Sequence, residues 1–152
     1  MKIIGIGELK LSSNEGIITH ALGSCLGVCF YDPTLKLGGL LHALLPHAKE
    51  YPGDFNPAKY VDTGIKLLLE KFINSGSDKN NLIVKVAGGA KSFCQDFFNT
   101  GAKNIATLHQ TLKHLELKIT ASDIGGTQYK TIWIEIATGK VTVKSTHYIA
   151  EL

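Results

Sequence analysis

A cysteine, a histidine and a threonine near the start of the chain have the residue types of a thiol-based catalytic site. Cys25 follows Gly23-Ser24, His42 lies seventeen positions further on, and Thr19 precedes the cysteine by six positions. A free thiol has a pKa of about 8.5, so a neighbouring imidazole is needed to generate a thiolate at neutral pH. A third group that orients the imidazole completes such a triad, and Thr19 is the candidate for that role. The three residues predict nucleophilic catalysis by Cys25, with His42 as general base and acid.

The basic residues of the chain limit the classes of partner. All sixteen are lysine, and they form no cluster in the sequence. Nucleic-acid-binding proteins commonly use the bidentate arginine fork to bind phosphates and guanine. We therefore expect no nucleic-acid partner.

The length and the cysteine content indicate one domain in a reducing compartment. A chain of 152 residues with 44% hydrophobic and 19% charged residues can form one compact domain, so we expect a single domain over residues 1–152. No apolar segment approaches the ~20 residues needed to span a bilayer, which predicts no direct membrane insertion. Three cysteines cannot all pair, and none belongs to a Cys-x-x-Cys motif. These features predict a reduced, cytoplasmic protein.

The apolar pattern predicts a mixture of strands and two main helices. Hairpins at both ends of the chain favour mixed or antiparallel sheets with helices packed against them, an α+β fold of the α/β-sandwich type. One predicted hairpin carries Cys25 and His42 on neighbouring strands, or just at the ends of those strands, which would place them side by side. The predicted strands are 2–11, 17–19, 27–31, 38–45, 82–87, 118–123, 129–137 and 141–144.

The first predicted helix has clear signals at both ends. Asn56 is the expected N-cap, Pro57 the expected first helical residue, and Gly76 the expected stop. Four apolar residues between them fall on one helical face. They are Val61, Ile65, Leu68 and Phe72. The second helix is predicted over residues 102–114.

Eight short segments, taken together and in this order, resemble the CheD family of chemoreceptor glutamine deamidases from bacterial and archaeal chemotaxis. The resemblance extends from about Gly5 to Lys144, and it departs from the family pattern at Ala87 and between Cys94 and Asn99. The segments are Leu22-Gly23-Ser24-Cys25, Tyr31-Asp32-Pro33, Gly38-Gly39-Leu40-Leu41-His42, Leu45-Pro46, Tyr60-Val61-Asp62-Thr63, Val86-Ala87-Gly88-Gly89-Ala90, Gly101-Ala102-Lys103-Asn104 and Ser122-Asp123-Ile124-Gly125-Gly126.

The resemblance implies a reaction, a fold and partners. The family's catalytic threonine, cysteine and histidine correspond to Thr19, Cys25 and His42. The implied fold is cysteine-hydrolase-like, and the implied reaction converts glutamine side chains of methyl-accepting chemoreceptors into glutamate and ammonia. A phosphatase of the CheC type is an implied partner. The alternative function is a regulatory binding module that docks on CheC or on receptors, with catalysis secondary.

The hypothesised mechanism proceeds through a thioester on Cys25. Backbone N–H groups around Gly23 and Ser24 are the expected oxyanion donors, because glycine allows a tight turn that exposes amides. Such a mechanism needs no metal and no organic cofactor.

Other residues offer alternatives that the sequence leaves open. His20 could replace His42 as the base, and Cys29 is expected in the core, whereas Cys94 has no companion motif. A zinc site formed by Cys25, Cys29, His42 and His47 lacks the usual paired spacing. The remaining histidines, His109, His114 and His147, are expected at the surface. The Gly88-Gly89 and Gly125-Gly126 pairs lack the phosphate-loop pattern and are expected to end strands.

Overall fold

The computed structural model describes residues 1–92 and 97–152, which form two sheets and two α-helices. The helices are α1 (Val61–Asn74) and α2 (Thr100–His114). The strands are β1 (Lys2–Ile4), β2 (Glu8–Ser12), β3 (Ile17–Leu22), β4 (Leu26–Asp32), β5 (Leu37–Ala43), β6 (Ile83–Gly88), β7 (Ile119–Ile124), β8 (Lys130–Ile134), β9 (Val141–Lys144) and β10 (Ile149–Glu151).

Each sheet mixes parallel and antiparallel pairs. The first sheet has the strand order β1-β3-β8-β9-β10, and the second sheet has the order β2-β5-β4-β6-β7. The β1–β3 and β6–β7 pairs are parallel and the others are antiparallel. This arrangement confirms the predicted α+β fold.

Strand β4 separates two hydrophobic cores. Its residues Leu26, Val28 and Phe30 pack in a core with α1 and α2, whereas Cys29 and Tyr31 belong to a core between the two sheets. Successive side chains of a strand point to opposite faces, so the alternation along β4 assigns each residue to one core. Cys25, which directly precedes β4, belongs to the inter-sheet core. The nucleophile candidate therefore faces the first sheet and not the helices.

The predicted strand over residues 2–11 is wrong in one respect, because it is two strands in different sheets. β1 pairs with β3 in the first sheet, and β2 pairs with β5 in the second. The crossing occurs at Gly7, which has a φ of 73° and donates its N–H to the carbonyl of His42. Glycine adopts this left-handed conformation without the strain that a side chain would add.

The predicted start of the first helix is also wrong. Asn56 does cap a helix, since its side chain accepts a hydrogen bond from the N–H of Ala58, but that helix is a single 3₁₀ turn over Pro57–Lys59. The α-helix begins only at Val61. The predicted stop at Gly76 is confirmed by a φ of 99° and by a 3.0 Å bond from its N–H to the carbonyl of Ile73.

The remaining element predictions differ from the structure mainly at their ends. The strand predicted over 129–137 is regular only over Lys130–Ile134, and β10 was not predicted. The buried face of α1 is confirmed, because its four predicted apolar residues are 0% exposed. Among residues 1–92 and 97–152, no helix has both the length and the apolar character to cross a membrane.

Gly88 and Gly76 offer a matched test of the turn that holds Cys25. Both have positive φ, but a Cβ at Gly88 would lie 2.2 Å from the carbonyl oxygen of Cys25, whereas a Cβ at Gly76 would meet nothing within 4 Å. We expect Gly76→Ala to lower the free energy of unfolding by about 1 kcal/mol, the usual penalty for a left-handed side chain. Gly88→Ala should cost about 2–4 kcal/mol because backbone must also move. Urea unfolding of the two variants measures the difference, and equal costs would contradict the predicted clash.

Candidate active site

The turn that carries Cys25 is held by backbone hydrogen bonds from the end of β6. The carbonyl of Cys25 accepts from the N–H of Gly89 at 2.8 Å, and the carbonyl of Gly23 accepts from the N–H of Ala90 at 2.8 Å. Cys25 is a free thiol and is 6% exposed. The turn is therefore fixed on both sides of the nucleophile candidate.

The second sheet brings His42 close to this turn. His42 lies on β5 directly opposite Gly27 of β4, and Cys25 precedes Gly27 by two residues. Residues at these diagonal positions on adjacent strands share one face of the sheet and lie within reach of long side chains. The sequence prediction that Cys25 and His42 come from neighbouring strands is confirmed.

Thr19 reaches His42 from the opposite sheet. Thr19 lies on β3, and its Oγ1 is 2.7 Å from Nδ1 of His42. The same hydroxyl donates its proton to the carbonyl of Ile4 at 2.9 Å. Because that proton is already used, Thr19 accepts a hydrogen bond from Nδ1–H of the imidazole. His42 is thus held as the tautomer whose Nε2 carries a lone pair.

The Nε2 atom of His42 is buried and has no hydrogen-bond partner among residues 1–92 and 97–152. No hydrogen bond joins it to the Cys25 thiol in the described structure. A buried polar atom without a partner carries a desolvation penalty, which makes it a position of functional interest. The structure therefore brings Thr19 and His42 together and leaves the basic nitrogen available on the face that Cys25 shares.

Burial favours the neutral forms of both Cys25 and His42. It raises the pKa of the Cys25 thiol to about 11, and the Cys25 backbone amide partly opposes this shift. Burial also lowers the pKa of the His42 imidazole to about 4. A low-dielectric environment disfavours the charged form of each group. Both shifts favour a thiol and a neutral imidazole in the resting site.

Two residues that the sequence analysis did not select as site residues contact the Cys25 turn. The ring of Tyr129, which is 70% exposed, lies against Gly23, where a Cβ would be 2.7 Å from its Cε1. Asn104 of α2 is 0% exposed and donates to the carbonyl of Ser24 at 2.9 Å. The available signal for Asn104 was its position four residues before Leu108, which places a polar side chain on the apolar stripe of the helix.

His20 and His47 do not join the Cys25 site. His20 is exposed, and its Nδ1 lies 3.4 Å from Oγ1 of Thr131. It follows Thr19 in the strand and therefore faces the opposite side of the first sheet. His47 lies between Asp62 and Thr107, each at 3.2 Å.

The other candidate residues serve packing or lie at the surface. Cys29 is buried in the inter-sheet core, and burial raises its pKa to about 12. The three remaining histidines are exposed, as predicted. Cys94 lies outside the described residues. Within the described part of the chain, no group of three or more His, Cys, Asp or Glu side chains is arranged to hold a metal ion.

Sequence comparisons place this chain in a known family. The family model described as "CheD chemotactic sensory transduction" matches residues 44–145. The chain is 44% identical over 145 residues to the probable chemoreceptor glutamine deamidase CheD of Pyrococcus abyssi, covering 93% of this chain and 89% of that protein. It is 38% identical over 144 residues to the chemoreceptor glutamine deamidase CheD of Thermotoga maritima, covering 94% and 90%.

A solved structure gives a weaker match. The Bacillus licheniformis hypothetical protein YfiH aligns with a TM-score of 0.44 at 16% identity, covering 74% of this chain and 49% of that one. The family is shown by the sequence relatives, whose similarity covers nearly all of both chains. This chain belongs to the CheD family.

Proposed function

We propose that this protein is a protein-glutamine deamidase that hydrolyses glutamine side chains of chemoreceptors to glutamate and releases ammonia. The names of the relatives support the reaction and the class of substrate. The observation that best supports the catalytic assignment is the tautomer of His42. Thr19 occupies Nδ1, which leaves a buried basic Nε2 on the sheet face that Cys25 shares. We further propose that the protein works in the cytoplasm, where thiols stay reduced.

In the proposed reaction, His42 acts first as a base and then as an acid. Nε2 takes the thiol proton while Sγ of Cys25 attacks the carboxamide carbon of glutamine. The carbonyl π electrons move to oxygen, and backbone N–H groups of the turn from Gly23 to Cys25 stabilise the oxyanion. The imidazolium then returns the proton to the departing nitrogen, so ammonia leaves and a thioester remains.

The second half of the reaction uses the same groups. Nε2 of His42 takes a proton from water as the water attacks the thioester carbon. Collapse of that intermediate breaks the C–S bond, and the thiolate recovers its proton from the imidazolium. Glutamate is released, and the resting thiol and neutral imidazole are restored. Thr19 accepts from Nδ1–H throughout, so the orientation of the ring is unchanged when its charge changes.

The approach to Cys25 is suited to a side chain displayed on another protein. The ring of Tyr129 is 70% exposed and borders the turn at Gly23, two residues before Cys25. Exposed aromatic rings contribute large contact areas at protein interfaces. We propose that the ring of Tyr129 contacts the receptor segment around the glutamine.

Mass spectrometry of receptor cytoplasmic fragments tests the proposal. Each converted glutamine gains about one dalton and releases one ammonia, as amide hydrolysis through an acyl-enzyme requires. We expect both signals with the native protein and neither after alkylation of its thiols. If receptors stay unmodified while a CheC-type phosphatase binds tightly, the regulatory-module alternative replaces the deamidase proposal.

Thr19 provides a graded test of the triad. Thr19→Val keeps the shape of the side chain but removes the oxygen that accepts from Nδ1–H of His42. We expect kcat for glutamine conversion to fall about 10²-fold, at the lower end of what acid–base catalysis contributes. Thr19→Ser retains the hydroxyl and should lose far less. A negligible loss in Thr19→Val, or a loss in Thr19→Ser as large as that in Thr19→Val, would contradict a role of Thr19 that rests on this hydrogen bond alone.

A further inference from the structure

We infer that Asn104 is a positioning residue that aims the backbone N–H of Cys25 at the oxyanion and links the nucleophile turn to the strand bearing the base. This inference rests on the proposed function, because it assigns a role in the same reaction.

The side-chain amide of Asn104 makes two hydrogen bonds near Cys25. Its Nδ2 donates to the carbonyl of Ser24 at 2.9 Å and to the carbonyl of Leu44 at 3.0 Å. The side chain is 0% exposed, and its Oδ1 has no partner among the described residues. The amide cannot be reversed, since that would place Oδ1 against two carbonyl oxygens.

The bond to Ser24 fixes the direction of the Cys25 amide. A trans peptide unit is planar, and its C=O and N–H point in opposite directions. With the Ser24 carbonyl directed at α2, the Cys25 N–H must point away from the helix. The Cys25 backbone amide also lowers the pKa of the thiol of the same residue. An N–H beside the attacking sulfur is placed to donate to the oxyanion that forms on the attacked carbon.

The bond to Leu44 connects the same amide to the base. Leu44 follows His42 by two residues, so one NH₂ group joins the segment before β4 to the segment after β5. Helix α2 can come this close because Gly101 has no side chain, and a Cβ there would lie 2.4 Å from the carbonyl of Ala90. Asn104 thereby constrains the separation of Cys25 from His42.

The unpartnered Oδ1 argues that the amide has a task beyond filling space. A leucine of similar volume would fill the same position without burying an unsatisfied acceptor. The amide carries a desolvation penalty, and its two donated bonds go to the carbonyl directly before Cys25 and to the carbonyl two residues after His42. This combination favours catalytic positioning over general stabilisation of the fold.

Two reactions of Cys25 distinguish a loss of oxyanion stabilisation from a general change in the reactivity of the thiol. Acylation by p-nitrophenyl acetate passes through a tetrahedral oxyanion, whereas alkylation by iodoacetamide displaces iodide and forms none. Rates measured on Cys25→Ala are subtracted to remove reactions at other residues. The ratio of the acylation rate to the alkylation rate then reports oxyanion stabilisation.

We expect Asn104→Leu to lower the acylation rate about 10- to 100-fold, below the full effect of deleting a donor because the N–H remains but loses its direction. The alkylation rate should stay within about threefold, and kcat for glutamine should fall with KM unchanged. Thr107→Val, which removes a buried hydroxyl one turn further along α2, is the matched control and should leave the ratio unchanged. If the leucine variant does not fold, Asn104→Ala takes its place in the same two rate measurements.

The outcomes distinguish this inference from the proposed function. An unchanged ratio, or equal loss of both rates in a folded Asn104 variant, overturns the positioning role even if the native protein deamidates receptors. A native protein that leaves receptor glutamines unconverted but shows the expected ratio change in Asn104 variants overturns the deamidase proposal alone.

Discussion

Replacing Cys25 by alanine is expected to reduce glutamine conversion by at least about 10⁴-fold, because loss of a covalent nucleophile removes the acyl-enzyme route. The fold should survive, since only one sulfur atom is removed from a residue at the edge of the inter-sheet core. We expect the free energy of unfolding to change by less than about 2 kcal/mol, as for other small deletions in cores. Mass spectrometry of receptor fragments measures the rate, and urea unfolding measures stability.

Cys29→Ala is the matched control for this variant. Cys29 lies four residues further along, in the same core, and is a free buried thiol with a similarly raised pKa. It should retain full activity while losing at least as much stability as Cys25→Ala, because it is more completely buried. Retention of activity by Cys25→Ala, or equal loss in both variants, would mean that Cys25 is not the nucleophile.

The contact between Thr19 and His42 illustrates what the sequence could not predict. The residue types and the hairpin that carries Cys25 and His42 were predictable, because local turn signals and strand alternation determine them. The Thr19 contact joins two sheets, and the Thr19 hydroxyl is also bonded to the carbonyl of Ile4 in β1, which lies in a different sheet from β2. A single strand over residues 2–11 fits the alternation equally well, so periodicity alone could not reveal the crossing.

The same limit applies to Asn104 and to the start of α1. Asn104 contacts a carbonyl 80 residues earlier in the chain, and nothing local to a helix specifies such a partner. At Asn56 and Pro57 the local rule identified a real cap but not the type of helix it begins. The α-helix begins after a further residue, Tyr60, whose extended backbone separates the two helices. Local signals mark ends well, whereas the length of the element that follows depends on packing.

The second large effect concerns His42 and pH. His42→Gln should lower kcat about 10³-fold, because it removes the only group proposed to transfer protons. In the native protein the imidazole must be neutral to accept the thiol proton, and burial lowers its pKa to about 4. As pH falls, kcat/KM should therefore stay level through the usual histidine range and decline only near pH 4. A decline centred near the unperturbed value of 6.5 would contradict a buried neutral base.

The same pKa shift predicts how stability changes with pH, with its own control. Between the unfolded pKa of about 6.5 and the folded pKa of about 4, the unfolded chain binds a proton at His42 that the folded protein does not. The contribution of His42 to the free energy of unfolding is therefore fully present above pH 6.5 and is lost as the pH falls towards 4. His42→Gln removes this contribution, so its Tm should fall less than that of the native protein over this interval. If Tm falls by the same amount in the two proteins, His42 is not buried in its neutral form. A level profile of kcat/KM against pH would then need a different explanation.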